Sequence, residues 1–189
     1  MDTPLDPLNG LAAELVERLS RVRLVALDVD GTLTDGGVRY VETGVGHSEM
    51  MRFDVRDGQG LVWLRRELDI KIAWITGRGC KSTKRRAKEL GIDVLELKSG
   101  PKDEVLAKIQ KRFQLEVDQT LAMGDDLPDL KLAARAAVFA APSDARDHVR
   151  ARADLITEEC GGHGAVREVC EALLAAQGRW SALVDGSDR

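Results

Sequence analysis

The residues best suited to chemistry are carboxylates placed at the ends of apolar runs. Leu24-Val25-Ala26-Leu27 leads straight into Asp28-Val29-Asp30-Gly31-Thr32-Leu33-Thr34. Apolar, mostly β-favouring residues that stop at two carboxylates read as a buried parallel strand delivering charge to its carboxyl edge, where open α/β sheets bind ligands. Residues two apart on an extended chain face the same side, and a chain that turns after Asp28 lets Asp30 rotate around whatever Asp28 touches. Such a pair can share a hard cation or divide the work of nucleophile and proton carrier. Alone, Asp-x-Asp-Gly reads equally well as a turn at a strand end. Three further strand ends decide between the two.

The run Ile70-Lys71-Ile72-Ala73-Trp74-Ile75 ends in Thr76-Gly77-Arg78. A hydroxyl and backbone N–H groups there suit phosphate, and Arg78 offers a planar fork to an anionic substrate. Ile92-Asp93-Val94-Leu95-Glu96-Leu97 leads into Lys98-Ser99-Gly100-Pro101-Lys102-Asp103, in which Pro101-Lys102 opens a helix. A cation at a helix start opposes the macrodipole unless something else uses it, and Lys102 can neutralise a phosphate or a nucleophilic carboxylate. Thr120-Leu121-Ala122-Met123 ends in Gly124-Asp125-Asp126-Leu127-Pro128-Asp129. Acidic clusters on two strand ends of one parallel sheet converge on one place, and like charges crowded together require a cation, which predicts bound Mg²⁺.

The elements that must position these groups follow from periodicity. Leu11, Leu15, Val16 and Leu19 form a helical stripe ahead of the first strand. Gly36-Gly37 breaks the chain, and short alternating stretches around Thr43-Gly44-Val45-Gly46 read as a β-hairpin, an insertion of about residues 36–53. That insertion is too short for a cap domain, so the site beneath stays open unless another subunit covers it. Residues 53–60 read as a polar, glycine-punctuated loop before a helix beginning at Leu61. The basic segment 82–90 is a solvated helix face ended by Gly91. Helices over 130–137 and from Pro142 onward, short strands at 138–140 and 154–156, a glycine loop at 161–164 and a helix over 165–176 complete the pattern. The tail, about 178–189, is polar and expected to be mobile, with Trp180 as an apolar anchor.

Length and composition bound the class. The 189 residues make a single domain, 1–189, and a net charge of -4 with a pI near 5.5 argues against nucleic-acid binding. No apolar run approaches the ~18 residues of a membrane span, and the N-terminus lacks the features of a signal peptide, so a cytoplasmic protein with no membrane partner is expected. Cys80, Cys160 and Cys170 are odd in number and show no C-x-x-C spacing, which argues against a disulfide framework or zinc knuckle. His47, His148 and His163 are scattered and read as surface or loop residues.

In their chain order, Asp-x-Asp-Gly-Thr, Thr-Gly-Arg, Lys and Gly-Asp-Asp resemble the haloacid dehalogenase superfamily of phosphohydrolases. Within it, the stretch from Asp28 to Gly36, Arg56-Asp57-Gly58, Ile75-Thr76-Gly77-Arg78, Gly124-Asp125-Asp126-Leu127 and Gly161-Gly162-His163-Gly164-Ala165-Val166-Arg167-Glu168 are similar to the capless, tetrameric 3-deoxy-D-manno-octulosonate 8-phosphate phosphatases. The resemblance implies an α/β fold, a three-layer Rossmann-like parallel sheet with the hairpin in place of a cap. It implies that Asp28 is the nucleophile, forming an aspartyl-phosphate, and that Asp30 protonates the leaving alkoxide and then activates water. Mg²⁺ is held by Asp28, Asp125 and the Asp30 carbonyl, with Asp126 supporting it. Thr76 and Lys102 hold the phosphoryl oxygens, with Lys98 in reserve because the lysine loop here lacks the Gln-Gly pair usual before it. Thr32, Gly77, Arg78 and Arg56 contact substrate, Arg78 reaching the sugar acid, and Arg167 is a candidate that reads equally well as a helix-surface arginine. The implied partners are a phosphorylated sugar acid and three further copies in a homotetramer. The alternatives are the same chemistry on a nonulosonate 9-phosphate or on many sugar phosphates, and a non-catalytic oligomerisation module. A scaffold, however, has no physical need for a crowded carboxylate pair.

Overall fold

The computed structural model describes residues 6–44 and 46–186. Along the chain come α1 (Ala13–Ser20), β1 (Leu24–Leu27), the paired strands β2 (Arg39–Thr43) and β3 (Gly46–Met50), α2 (Val55–Leu68), β4 (Lys71–Thr76), α3 (Lys81–Leu90) and β5 (Val94–Leu97). They are followed by α4 (Lys102–Phe113), β6 (Thr120–Met123), α5 (Leu130–Ala133), β7 (Val138–Ala141), α6 (Asp147–Arg150), β8 (Leu155–Ile156), α7 (Ala165–Ala176) and α8 (Trp180–Val184). Six strands form one parallel sheet in the order β5-β4-β1-β6-β7-β8, and β2 and β3 form a separate antiparallel hairpin. This is the α/β sheet with a hairpin that the sequence implies.

All four residues of β1 are buried, and they alternate between two cores. Val25 and Leu27 pack into the layer that includes Leu19, Leu61 and Leu173, whereas Leu24 and Ala26 pack with Leu106, Ile109 and Leu132 on the other face. A leucine so enclosed contributes about 2 kcal/mol of apolar transfer free energy. Sheet order, not burial, fixes the place of the site. From β1 the chain winds outward to β4 and β5 on one side and to β6, β7 and β8 on the other, so the crevice opens at the carboxyl end of β1.

Three local expectations are corrected. Residues 55–60 are helical: the Asp54 carboxylate accepts from the Arg56 N–H at 2.7 Å and starts α2 there. Gly58 and Gly60 serve close packing within that helix, since a Cβ would lie 2.3 Å from Nη2 of Arg86 and 2.9 Å from Cβ of Cys170. The alanine-rich helix stops at Ala133, because the Ala137 N–H is drawn to the Thr120 carbonyl at 2.9 Å to begin the next strand. The helix after Pro142 begins only at Asp147, since the Arg146 N–H donates to the Asp125 carbonyl at 2.9 Å. Trp180, the expected apolar anchor, opens α8. Trp180 packs edge-on against Trp63 at 6.4 Å, and Arg179 pairs with Glu67 at 2.9 Å. The outermost residues of both termini, and Val45 in the hairpin turn, lie outside the described residues.

One buried carboxyl ties α2 to α7. Asp57 Oδ1 accepts from the Arg167 N–H at 2.8 Å, while its Oδ2 is buried without a hydrogen bond. Burial, with Asp54 adding repulsion, raises its pKa to about 6 against the opposing hydrogen bond from Arg167. The folded protein therefore keeps a proton on Asp57 over the range in which the unfolded chain has lost it, and stability contributed at low pH is lost as pH rises through about 6. In EDTA, Asp57→Asn should reduce the loss of stability between about pH 4 and about pH 7 by on the order of 2 kcal/mol. Urea denaturation of both proteins at the two pH values measures this; parallel pH profiles would contradict it.

Candidate active site

Asp28 is the first residue past β1, its N–H still bonded to the Met123 carbonyl at 3.0 Å and the residue only 5% exposed. The chain then turns through Gly31, which adopts a φ of +98°, and a Cβ there would lie 2.2 Å from Asp125 Oδ2. This close passage lets the Thr32 hydroxyl donate to Asp125 Oδ1 at 3.1 Å. On the opposite side, Gly124 has no Cβ because Asp129 occupies that space; a Cβ would lie 2.2 Å from Cβ of Asp129. Asp129 Oδ2 accepts from the N–H groups of Asp125 and Asp126 at 3.0 and 3.1 Å.

Lys102 enters this cluster from the first turn of α4. Its Nζ lies 2.5 Å from both Asp28 Oδ1 and Asp129 Oδ1. Carboxylate oxygens of Asp28, Asp125 and Asp129 lie within 4.8 Å of one another. One ammonium cannot balance three carboxylates, and the excess bears on their proton affinities. Burial, reinforced by Asp129, pushes Asp28 well above the usual carboxylate range against the pull of Lys102. Burial and then Asp129 raise Asp125 to about 6. Burial would lower Lys102, but the attraction of Asp28 and Asp129 outweighs it and leaves the lysine raised and charged. An all-oxygen, under-neutralised pocket of this kind fits Mg²⁺.

The other expected residues lie in different places. Asp30 keeps its carboxylate out of the acidic cluster: Oδ2 accepts from the Thr76 hydroxyl at 2.7 Å, and Oδ1 lies 3.3 Å from Arg78 Nε. Thr76 in turn accepts from the Arg78 N–H at 3.0 Å, so its hydroxyl is committed to the loop and to Asp30. Gly77 has open space where a Cβ would stand, leaving its backbone approachable. Arg78 is also paired with Glu49 of the hairpin. Asp126 is exposed and turned away, its Oδ1 accepting from the Leu127 N–H at 2.8 Å to cap a short 3₁₀ turn. Arg56 points at the glycine loop, bonded to Asp54 and to the His163 carbonyl, and Lys98 lays its stem along Gly79 with a φ of +52°. The Lys102 amino group, not that of Lys98, meets Asp28. Arg167 stacks over Trp63 at 4.0 Å and pairs with Glu171, which accounts for it as a packing residue.

Two participants were not singled out from sequence. Asp129, one helical turn after Asp125, replaces Asp126 in the cluster; its signal was a third carboxylate at i+4 ahead of a short helix. Asp144 accepts from the Gly161 N–H at 2.9 Å and pins the glycine loop, where Gly162 N–H donates to the Thr32 carbonyl at 2.9 Å. A Cβ on Gly161 would lie 1.7 Å from the Gly31 carbonyl oxygen, so the loop rests directly on the Asp30–Thr32 turn.

Known proteins are similar to this chain over nearly its whole length. The 3-deoxy-D-manno-octulosonate 8-phosphate phosphatase KdsC of Escherichia coli K12 is 35% identical over 169 residues, 89% of this chain and 88% of that protein. The KdsC of Yersinia pestis is 36% identical over 179 residues, covering 94% and 91%. The chain belongs to the 3-deoxy-D-manno-octulosonate 8-phosphate phosphatase family of the haloacid dehalogenase superfamily. Among solved structures, the octulosonate phosphatase of Moraxella catarrhalis in complex with magnesium, phosphate and KDO superposes with a TM-score of 0.86 at 38% identity, over 93% of this chain and 98% of that one. A hypothetical protein of Xanthomonas campestris reaches a TM-score of 0.90 at 38% identity, covering 99% and 100%. No family model matches the chain.

For this member of the octulosonate phosphatase family, Lys102 and a bound Mg²⁺ would share the neutralisation of one set of carboxylates. Lys102→Met should lower stability in EDTA by about 3 kcal/mol, because it strands Asp28 and Asp129 without their cation. Adding Mg²⁺ should raise the melting temperature of the variant more than that of the parent protein. Thermal melts in EDTA and in Mg²⁺ measure the difference, and an equal rise in both would contradict shared neutralisation.

Proposed function

We propose that the chain is a Mg²⁺-dependent phosphomonoesterase that hydrolyses 3-deoxy-D-manno-octulosonate 8-phosphate through a phosphorylated Asp28. The observation that carries this reading is the buried Asp28 carboxylate, held at the end of the central strand against Lys102 and two further carboxylates. The activity named for the family's curated members agrees with it.

Asp28 attacks phosphorus; its O–P bond forms as the bond from phosphorus to the sugar oxygen breaks. Asp30, turned toward the Thr76 side of the crevice, gives its proton to the departing alkoxide, then removes one from water as that water attacks the phosphoaspartate and frees Asp28. Lys102 balances charge on Asp28 and on the phosphoryl oxygens that reach it, the Gly77 backbone supplies a donor at the next strand end, and Thr76 takes part by holding the Asp30 carboxylate through its hydroxyl. Asp28, Asp125 and Asp129, with the Asp30 carbonyl, would hold Mg²⁺, which when bound brings the anionic nucleophile and the phosphate together and offsets their charges. Thr32 keeps Asp125 in place. Arg78, at the open mouth, takes the sugar carboxylate, and Arg56, which is tied to the glycine loop of its own chain, is retained as a substrate contact only across a subunit boundary. Asp126 has no direct role in this reading beyond shaping its turn.

The assembly is read as a homotetramer built through the hairpin. Val38, Tyr40, Val41 and Met50 expose apolar surface on or beside β2 and β3, more than a free two-stranded ribbon retains without a partner. Among the described residues no helix is long and apolar enough to cross a membrane. The three free thiols favour the cytoplasm as the site of action.

Phosphate release in the presence of Mg²⁺ tests the chemistry. Asp28→Asn should lose more than about a hundredfold in kcat, and undiminished activity would remove the nucleophile. The octulosonate phosphate should be hydrolysed well ahead of nonulosonate 9-phosphate and hexose phosphates; equal rates on all would remove the substrate assignment. Light scattering at assay concentration should give the mass of four copies, against which a monomer would count decisively.

A further inference from the structure

The mechanism does not use Glu49, yet this hairpin residue reaches the centre of the site. Its carboxylate pairs with Nη2 of Arg78. Its backbone carbonyl is fixed to the start of α3, accepting from the Ser82 hydroxyl at 3.3 Å with Cys80 Sγ at 4.0 Å. Arg78 is therefore held between Glu49 on one side and Asp30 on the other. The two contacts are unequal. Arg78 Nε lies 3.3 Å from Asp30 Oδ1, but it is buried and makes no hydrogen bond. A guanidinium beside a carboxylate ordinarily rotates into a two-point hydrogen-bonded pair. Here an unsatisfied donor sits within reach of its natural acceptor without using it.

We infer that Glu49 is a positioning residue that keeps the Arg78 guanidinium out of a two-point hydrogen-bonded pair with the Asp30 carboxylate, leaving Asp30 free to carry protons. The inference rests on the proposed reading of Asp30 as the proton carrier. Without the Glu49 carboxylate, the orphaned Nε and the released Nη2 both turn to Asp30. Thr76 already donates to Asp30 Oδ2, so a forked pair with Arg78 fills that oxygen and half of Oδ1, leaving one acceptor site where the leaving group or water would otherwise find three. The hairpin thereby acts on catalysis within its own subunit, through one ion pair and apart from any interface it forms.

A double-mutant cycle on the full-length protein with Mg²⁺ and octulosonate 8-phosphate tests this. Glu49→Gln should lower kcat about tenfold while KM stays within about threefold. In the Arg78→Met background the same substitution should change kcat by less than about twofold, because no guanidinium remains to collapse onto Asp30. An equal loss in both backgrounds would mean that Glu49 only supports the hairpin, and a raised KM with unchanged kcat would make it only a partner for substrate binding. Either result, or no effect at all, overturns the inference while leaving the phosphatase assignment intact. A wild-type protein inactive on the sugar phosphate overturns that assignment and the inference with it.

Discussion

Three carboxylates and one lysine in a nearly dry pocket constrain everything around them. Bringing Asp28, Asp125 and Asp129 together is costly in any medium of low polarity, and Lys102 offsets only part of the repulsion. Removing side chains nearby frees no room for error either: Gly31 and Gly124 are absent of Cβ because the carboxylates stand where those atoms would be. The parallel sheet exists at this point to hold charges that repel one another, and both cores anchor β1 so that its end does not yield.

The coupling between the two sheets of the molecule is narrower than their separation suggests. The hairpin shares no strand with the main sheet, and most of its surface is exposed. Its contact with the chemistry passes through Glu49 and Arg78. A small insertion thus touches Arg78 at the mouth of the site and, through it, the proposed proton carrier Asp30, a dual contact that a larger cap would divide among many residues.

The strand ends were legible because burial and charge change abruptly there. Asp28, Asp30, Thr76, Lys102 and Asp125 each follow an apolar run or open a helix, and the topology gathers them at one edge. Asp126 and Asp129 could not be told apart by spacing, since the distinction depends on which carboxylate caps the 3₁₀ turn and which turns inward to collect two N–H donors. Gly58 and Gly60 read as loop residues because composition does not reveal that neighbouring helices need the space. Arg56 carried a strong motif, but the direction of its side chain was set by Asp54 and by a carbonyl distant in sequence. For Asp126, Asp129 and Arg56 what remained hidden was the orientation of a polar side chain, whereas for residues 55–60 it was the backbone itself, read as loop and folded as helix.

The glycine loop adds a temporal dimension to the architecture. Gly161 and Gly162 press against the turn that carries Asp30 and Thr32, although the two segments come from opposite ends of the chain. The residues of β1, β4 and β6 and every member of the acidic cluster are synthesised before this loop. The turn bearing the proton carrier then lacks its backing, and the final contacts are of the long-range kind that close late in folding. Competence would therefore arrive with the last quarter of the chain, which shields the growing protein from holding a finished, reactive site while still tethered.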